Sequence, residues 1–96
     1  MRDITSIKNR LQQLKPELQR KYHVNSIGIF GSAVRNDFTP ESDIDIIVDF
    51  TQPIGISFID LADFLEKEVQ SKVDLISRKG IKPQYFSAIE NEIVYV

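Results

Sequence analysis

An α/β (α+β) fold, a small sheet of three or four strands packed with helices, is what this sequence predicts, on three observations. A short apolar run at residues 27–30 and a strand-like run with one wholly apolar face at 43–50 are bounded by turn-forming residues. Apolar side chains also recur at spacings of three and four over residues 4–18 and 58–69, as helix faces do. The two patterns alternate along the chain, which favours helices laid on a sheet. With so few strands, a mixed sheet and a parallel one are equally open.

Ile4, Ile7, Leu11, Leu14 and Leu18 form one amphipathic stripe, interrupted by Pro16. Proline inside a helix removes a hydrogen bond and clashes with the preceding turn, but fits well as a first helical residue. The reading is a helix over residues 5–14 and a second over 16–22, with a single kinked unit as the alternative. His23 begins a loop and is given no role. Residues 27–30 are short and β-branched, hence a strand, and residues 32–36 can form a helical turn that stops before Pro40.

Residues 43–50 are the clearest strand. Its pleat puts Asp43, Asp45, Ile47 and Asp49 on one face and Ile44, Ile46, Val48 and Phe50 on the other. The second face is wholly apolar and must pack on helices. Residues 51–55 form a loop. Ser57 with Asp60 three residues on resembles a capping box ahead of a helix over residues 58–70. Residues 73–77 form a strand with Val73 and Leu75 facing one way and Asp74 and Ile76 the other. Arg78, Lys79 and Gly80 turn the chain, Pro83 opens a last helix through Ile89, and residues 93–96 form a terminal strand.

The chain of 96 residues is read as a single domain, residues 1–96. It has no cysteine, which excludes disulfides and thiolate metal sites. No apolar run approaches membrane-spanning length and no signal-peptide pattern opens the chain, so the expectation is a cytoplasmic protein. The net charge of −2 hides a division: residues 1–35 carry seven Lys and Arg against two acids, and residues 36–96 five against twelve. Solvated helix faces account for this as well as an anion-holding basic half does. An overall basic surface for bulk nucleic-acid binding is absent, and direct nucleic-acid binding is not expected.

Asp43 and Asp45 lie two apart on a strand, so their carboxylates leave one face with backbones roughly 6–7 Å apart. A hard cation, or a pair of them, removes the repulsion between them. An EF-hand loop is excluded by Ile44 and Ile46. Asp74 interrupts an apolar strand, where an acid is costly unless paired or bound to metal; if that strand neighbours the first, three acids meet. Gly31 and Ser32 follow an apolar strand and precede a helical turn, where glycine permits close backbone approach and free amides favour phosphate. Alone this dipeptide is an ordinary turn signal. Arg35 either faces a phosphate or is a surface charge. Tyr22, Tyr85 and Tyr95 are read as packing residues.

Together, Gly31-Ser32, ten residues, Asp43-Ile44-Asp45-Ile46 and the later Val73-Asp74-Leu75 resemble the nucleotidyltransferase superfamily of DNA polymerase β. The run from Phe30-Gly31-Ser32-Ala33-Val34-Arg35 to Ser42-Asp43-Ile44-Asp45 is similar, more closely, to the minimal nucleotidyltransferases called MNT. The resemblance spans nearly the whole chain and implies the polymerase β-like catalytic fold. It implies transfer of AMP from ATP to an acceptor, with two Mg2+ ions held by Asp43, Asp45 and Asp74. Gly31 and Ser32 would hold the β- and γ-phosphates, with Arg35 beside them, and Asp74 would accept the proton of the attacking hydroxyl. The larger relatives carry extra domains that grip the acceptor. A chain of this size is similar to the antitoxin of toxin–antitoxin pairs, which modifies a tyrosine of a helical HEPN-type toxin. Two alternatives stand beside that one: a non-catalytic antitoxin that covers its partner, and a nucleotidyltransferase acting on a small molecule such as an aminoglycoside. Base preference and oligomeric state, a homo-oligomer included, stay open.

Overall fold

The computed structural model describes residues 3–35, 39 and 41–96. The elements run α1 (Ile4–Tyr22), β1 (Val24–Phe30), α2 (Ser32–Arg35), β2 (Ile44–Phe50), α3 (Ser57–Val69), β3 (Val73–Ser77), α4 (Pro83–Ile89), a 3-10 turn (Glu90–Glu92) and β4 (Val94–Tyr95). The strands form one mixed sheet in the order β3-β2-β1-β4, with β1 antiparallel to both β2 and β4 and β2 parallel to β3. The parallel step needs a crossover, and α3 supplies it.

Three local expectations change. The first helix is continuous through Pro16 rather than divided at it. Proline inside a helix costs about 3 kcal/mol. Ile7, Leu11, Leu14, Leu18 and Tyr22 are all buried along the opposite face, and each such side chain returns roughly 1.5–3 kcal/mol. Pro16 and Gln12, whose carbonyl loses its donor, are exposed to water. The stripe outweighs the break. Asp3 caps the helix start by accepting from the Ser6 amide at 3.1 Å. At the other end His23 is a left-handed cap (φ 57°) whose N–H donates to the Leu18 carbonyl. His23 therefore leads straight into β1, which starts at Val24, opposite Phe50.

Ser57 is the first helical residue of α3, and no side chain caps that end, so the expected capping box does not form. The expected end of the turn after Gly31, at Asn36 and before Pro40, lies outside the described residues.

The core lies between the two long helices and one face of the sheet. Ile44, Ile46 and Val48 are fully buried and Phe50 nearly so. A one-residue slip of β2 would trade these for Asp45 and Asp49, so burial fixes its register. Val73 and Leu75 pack against the same core. Asp45 and Asp74 consequently project from the sheet face turned away from α1 and α3.

Candidate active site

The site is assembled at one end of the sheet. Across three adjacent strands, Phe30 of β1 pairs with Asp45 of β2, and Asp45 pairs with Asp74 of β3. Paired positions on neighbouring strands sit roughly 5 Å apart with side chains on one face. The two acids, 29 residues apart in the chain, are thereby neighbours. Asp43 is exposed and stands just ahead of β2, whose first amide, that of Ile44, donates to the Lys72 carbonyl at 2.9 Å. A turn sets its approach: the Ser42 amide donates to the Thr39 carbonyl, and the Thr39 amide to Ser42 Oγ, each at 3.0 Å. At the start of β3, Glu66 of α3 accepts from the Val73 amide at 3.0 Å, fixing the strand that carries Asp74.

Asp45 feels this crowding. Burial, then Asp74, then Asp43 push its carboxyl up to about 6, with Arg35 opposing and Glu92 adding to the rise. An acid raised by burial and by neighbouring carboxylates is one that a bound cation would relieve. The all-carboxylate oxygen set suits a hard ion such as Mg2+. Among the described residues, no three His, Cys, Asp or Glu side chains are already drawn together into a metal-holding group.

Gly31 is buried and its φ of 78° lies in the left-handed region, where side chains are disfavoured. A Cβ there would fall 2.0 Å from Asp45 Oδ2 and 3.0 Å from its Cγ. Glycine is therefore favoured twice over, once by the turn and once by the carboxylate beside it, which would have to shift for any side chain. The Gly31 carbonyl accepts from Val34 and Arg35 at 3.0 and 3.2 Å, starting α2, and Ser32 is the first residue of that helix. Among the described residues the Ser32 hydroxyl makes no hydrogen bond.

Sequence reasoning missed Glu92. Its Oε2 accepts from the Gly31 amide at 2.6 Å, and Arg35 Nη1 reaches its two oxygens at 3.1 and 3.3 Å. The cause is strand register. In the β1–β4 ladder, Gly28 faces Tyr95 and Ile29 faces Val94, so two steps further Gly31 meets Glu92. Gly28 permits this approach, since a Cβ there would lie 2.5 Å from Ile93 Cγ2. Of the residues singled out beforehand, Gly31, Arg35, Asp43, Asp45 and Asp74 share this neighbourhood, and Ser32 adjoins it. Tyr22 is buried in the core against Phe64 at 6.0 Å between ring centroids, whereas Tyr85 and Tyr95 are exposed.

The comparisons with known proteins agree with one another. The model of the nucleotidyltransferase domain family matches residues 11–96. A Methanocaldococcus jannaschii protein, provisionally named a protein adenylyltransferase, is 41% identical over 98 residues that cover the whole of both chains. Protein adenylyltransferase MntA of Thermococcus cleftensis is 36% identical over all of this chain and 98% of its own length. Among solved structures, one provisionally named a minimal nucleotidyltransferase superposes with a TM-score of 0.81 at 22% identity, covering 96% of this chain and 94% of the other. A chain from the complex of a tri-AMPylated Shewanella oneidensis HEPN toxin with its MNT antitoxin gives 0.69 at 21% identity, covering 95% and 69%. One from a toxin–antitoxin crystal structure with AMP-PNP gives 0.65 at 27%, covering 78% and 60%. With a family model spanning most of its length and full-length relatives above a third identical, this chain belongs to the nucleotidyltransferase family, as a minimal, MNT-type enzyme related to the protein adenylyltransferases.

Proposed function

We propose that this enzyme transfers AMP from ATP to a tyrosine hydroxyl of an HEPN-type toxin and so acts as its antitoxin in the cytoplasm. The observation that carries the reading is the register that sets Asp45 beside Asp74, with Asp43 two residues upstream and the Gly31 turn against Asp45. The partner is supported by full-length relatives named for adenylylating proteins and by the similarity to chains from toxin–antitoxin complexes. No helix among the described residues is long and apolar enough to cross a membrane.

In this reading Asp43, Asp45 and Asp74 hold two Mg2+ ions, which when bound would neutralise charge on the attacking and leaving oxygens of an in-line displacement. The chain's own groups do the rest. The Gly31 amide, the Ser32 hydroxyl and Arg35 orient the β- and γ-phosphates and leave the α-phosphorus facing the acids. Asp74, exposed at the sheet edge, accepts the proton of the acceptor hydroxyl as its oxygen bonds to the α-phosphorus. The bond to the bridging oxygen breaks and pyrophosphate leaves with that electron pair.

The test is label transfer from α-labelled ATP to a co-expressed HEPN partner. Wild type labels a tyrosine, and Asp43→Ala with Asp45→Ala abolishes the label; labelling that survives the double substitution sinks the assignment. A purely covering antitoxin has some support in the large apolar side chains left exposed, Ile56 at 80% and Ile59 at 65%. It predicts that the double variant still protects cells while wild type leaves no AMP on the toxin.

A further inference from the structure

We infer that Glu92 is an internal gate on the nucleotide site, a carboxylate that occupies the Gly31 amide and Arg35 until the triphosphate displaces it. The inference rests on the nucleotide reading above, which assigns those two donors to phosphate.

The geometry is that of an anion already bound. Both Glu92 oxygens are engaged: Oε2 by the Gly31 amide at 2.6 Å and Arg35 Nη1 at 3.1 Å, Oε1 by Arg35 Nη1 at 3.3 Å. The bond from the Gly31 amide is short and charge-assisted, the stronger class of hydrogen bond, and the longer Arg35 contacts add to it. The Glu92 side chain is mostly buried, at 24% exposure, whereas that of Arg35 is 54% exposed and open to solvent. A backbone amide has one proton to give, so the carboxylate and a phosphate oxygen cannot both take it in good geometry. The charges point the same way, because Asp43, Asp45 and Asp74 already crowd this end of the sheet and Glu92 adds a fourth negative group. An entering triphosphate meets that repulsion until the side chain swings away. Its backbone need not follow: the chain after it stays anchored to β1, with the Val96 amide on the Ile27 carbonyl at 3.0 Å, and to α1, with Lys15 Nζ on the Val96 carbonyl at 2.8 Å. Only side-chain torsions are required, and those are fast.

The experiment measures the dissociation constant of α,β-methylene ATP with Mg2+ by calorimetry, for wild type, Glu92→Gln and Glu90→Gln. Glu90 is an exposed acid of the same turn, and its substitution controls for net charge. Glu92→Gln is expected to bind about tenfold tighter, the lower end of what a charged hydrogen-bond partner is worth, and Glu90→Gln within about twofold of wild type. A folded Glu92→Gln protein that binds equally or more weakly overturns the gate and makes Glu92 a strut for the turn. Should that variant lose cooperative unfolding, wild type decides by NMR. The gate requires that ligand shift the Gly31 amide and the Glu92 carboxyl carbon together, and a carboxyl signal unmoved at saturation refutes it. If neither wild type nor variant binds and no label is transferred, the nucleotide reading itself fails. If wild type binds and only the difference is missing, the gate alone fails.

Discussion

Gly31→Ala is the perturbation that most directly tests how the site is built. Two costs arise. An L-residue at a φ of 78° pays roughly 1–2 kcal/mol relative to glycine. The new methyl would also fall 2.0 Å from Asp45 Oδ2, a distance no rotamer of the methyl can relieve, so the Asp45 side chain or the backbone must move. Overpacking of this kind costs roughly 1–3 kcal/mol. The sum is roughly 2–5 kcal/mol, or a fall in melting temperature on the order of 10–30 °C for a domain of this size. A double-mutant cycle separates the two. In an Asp45→Ala background the carboxylate is gone, so Gly31→Ala should cost only the roughly 1–2 kcal/mol of the backbone. Urea unfolding of the four proteins reads the coupling, and transfer assays should show Gly31→Ala at least about a hundredfold slower through the displaced acid. Additive substitutions, or a single-variant cost below about 1 kcal/mol, would refute the claim that Asp45 is held in the space a glycine leaves.

Asp45 also predicts a pH dependence. Its carboxyl is raised from 3.8 to about 6 in the native state, so between those values the folded protein keeps a proton that the unfolded chain has lost. Its contribution is present below the unfolded value and is lost as pH rises through about 6. Discounted for the water around a half-buried group, the loss is about 1–2 kcal/mol. Asp45→Asn should remove this slope in urea unfolding between pH 4.5 and 7, and Mg2+ should restore stability to wild type most at the upper end. An unchanged slope in Asp45→Asn contradicts the raised Asp45 carboxyl. In α1, Pro16→Ala should stabilise by roughly 1–3 kcal/mol, since it restores the missing hydrogen bond on an exposed face while the buried stripe is untouched. A lower denaturation midpoint for that variant would show that proline contributes more by restricting the unfolded chain.

What could be read in advance was whatever depends on neighbours along the chain. The alternate apolar positions Ile44, Ile46, Val48 and Phe50 announce their strand, and the stripe of Leu61, Leu65 and Val69 its helix, because each pattern has the period of the structure that buries it. Asp74 stood out for the same reason, as an acid among apolar strand residues. Long-range effects were hidden. Pro16 carries its cost locally, while the burial that outweighs it comes from the sheet beneath. The start of β1 at Val24 is set by its partner Phe50, on another strand. Glu92 sits between the helix read through Ile89 and the strand read from residue 93, where no pattern singles it out, and only the β1–β4 register turns it toward Gly31.

The parallel pairing of β2 with β3 also governs when the site can exist. The antiparallel pair β1 and β2 is separated by only 13 residues, 31 to 43, so it can form early, and its pairing brings Gly31 against Asp45. Asp74 joins only after α3 has formed and crossed over, and Glu92 only after the last strand has docked on β1. A nascent chain in which β3 has not docked, or a molecule whose edge strand β3 has opened in a local fluctuation, therefore holds Asp43 and Asp45 without the register that brings Asp74 beside them. With the roles proposed for the three acids, docking of β3 becomes a condition of reactivity, and an unfinished molecule is expected to leave the hydroxyls it meets unmodified.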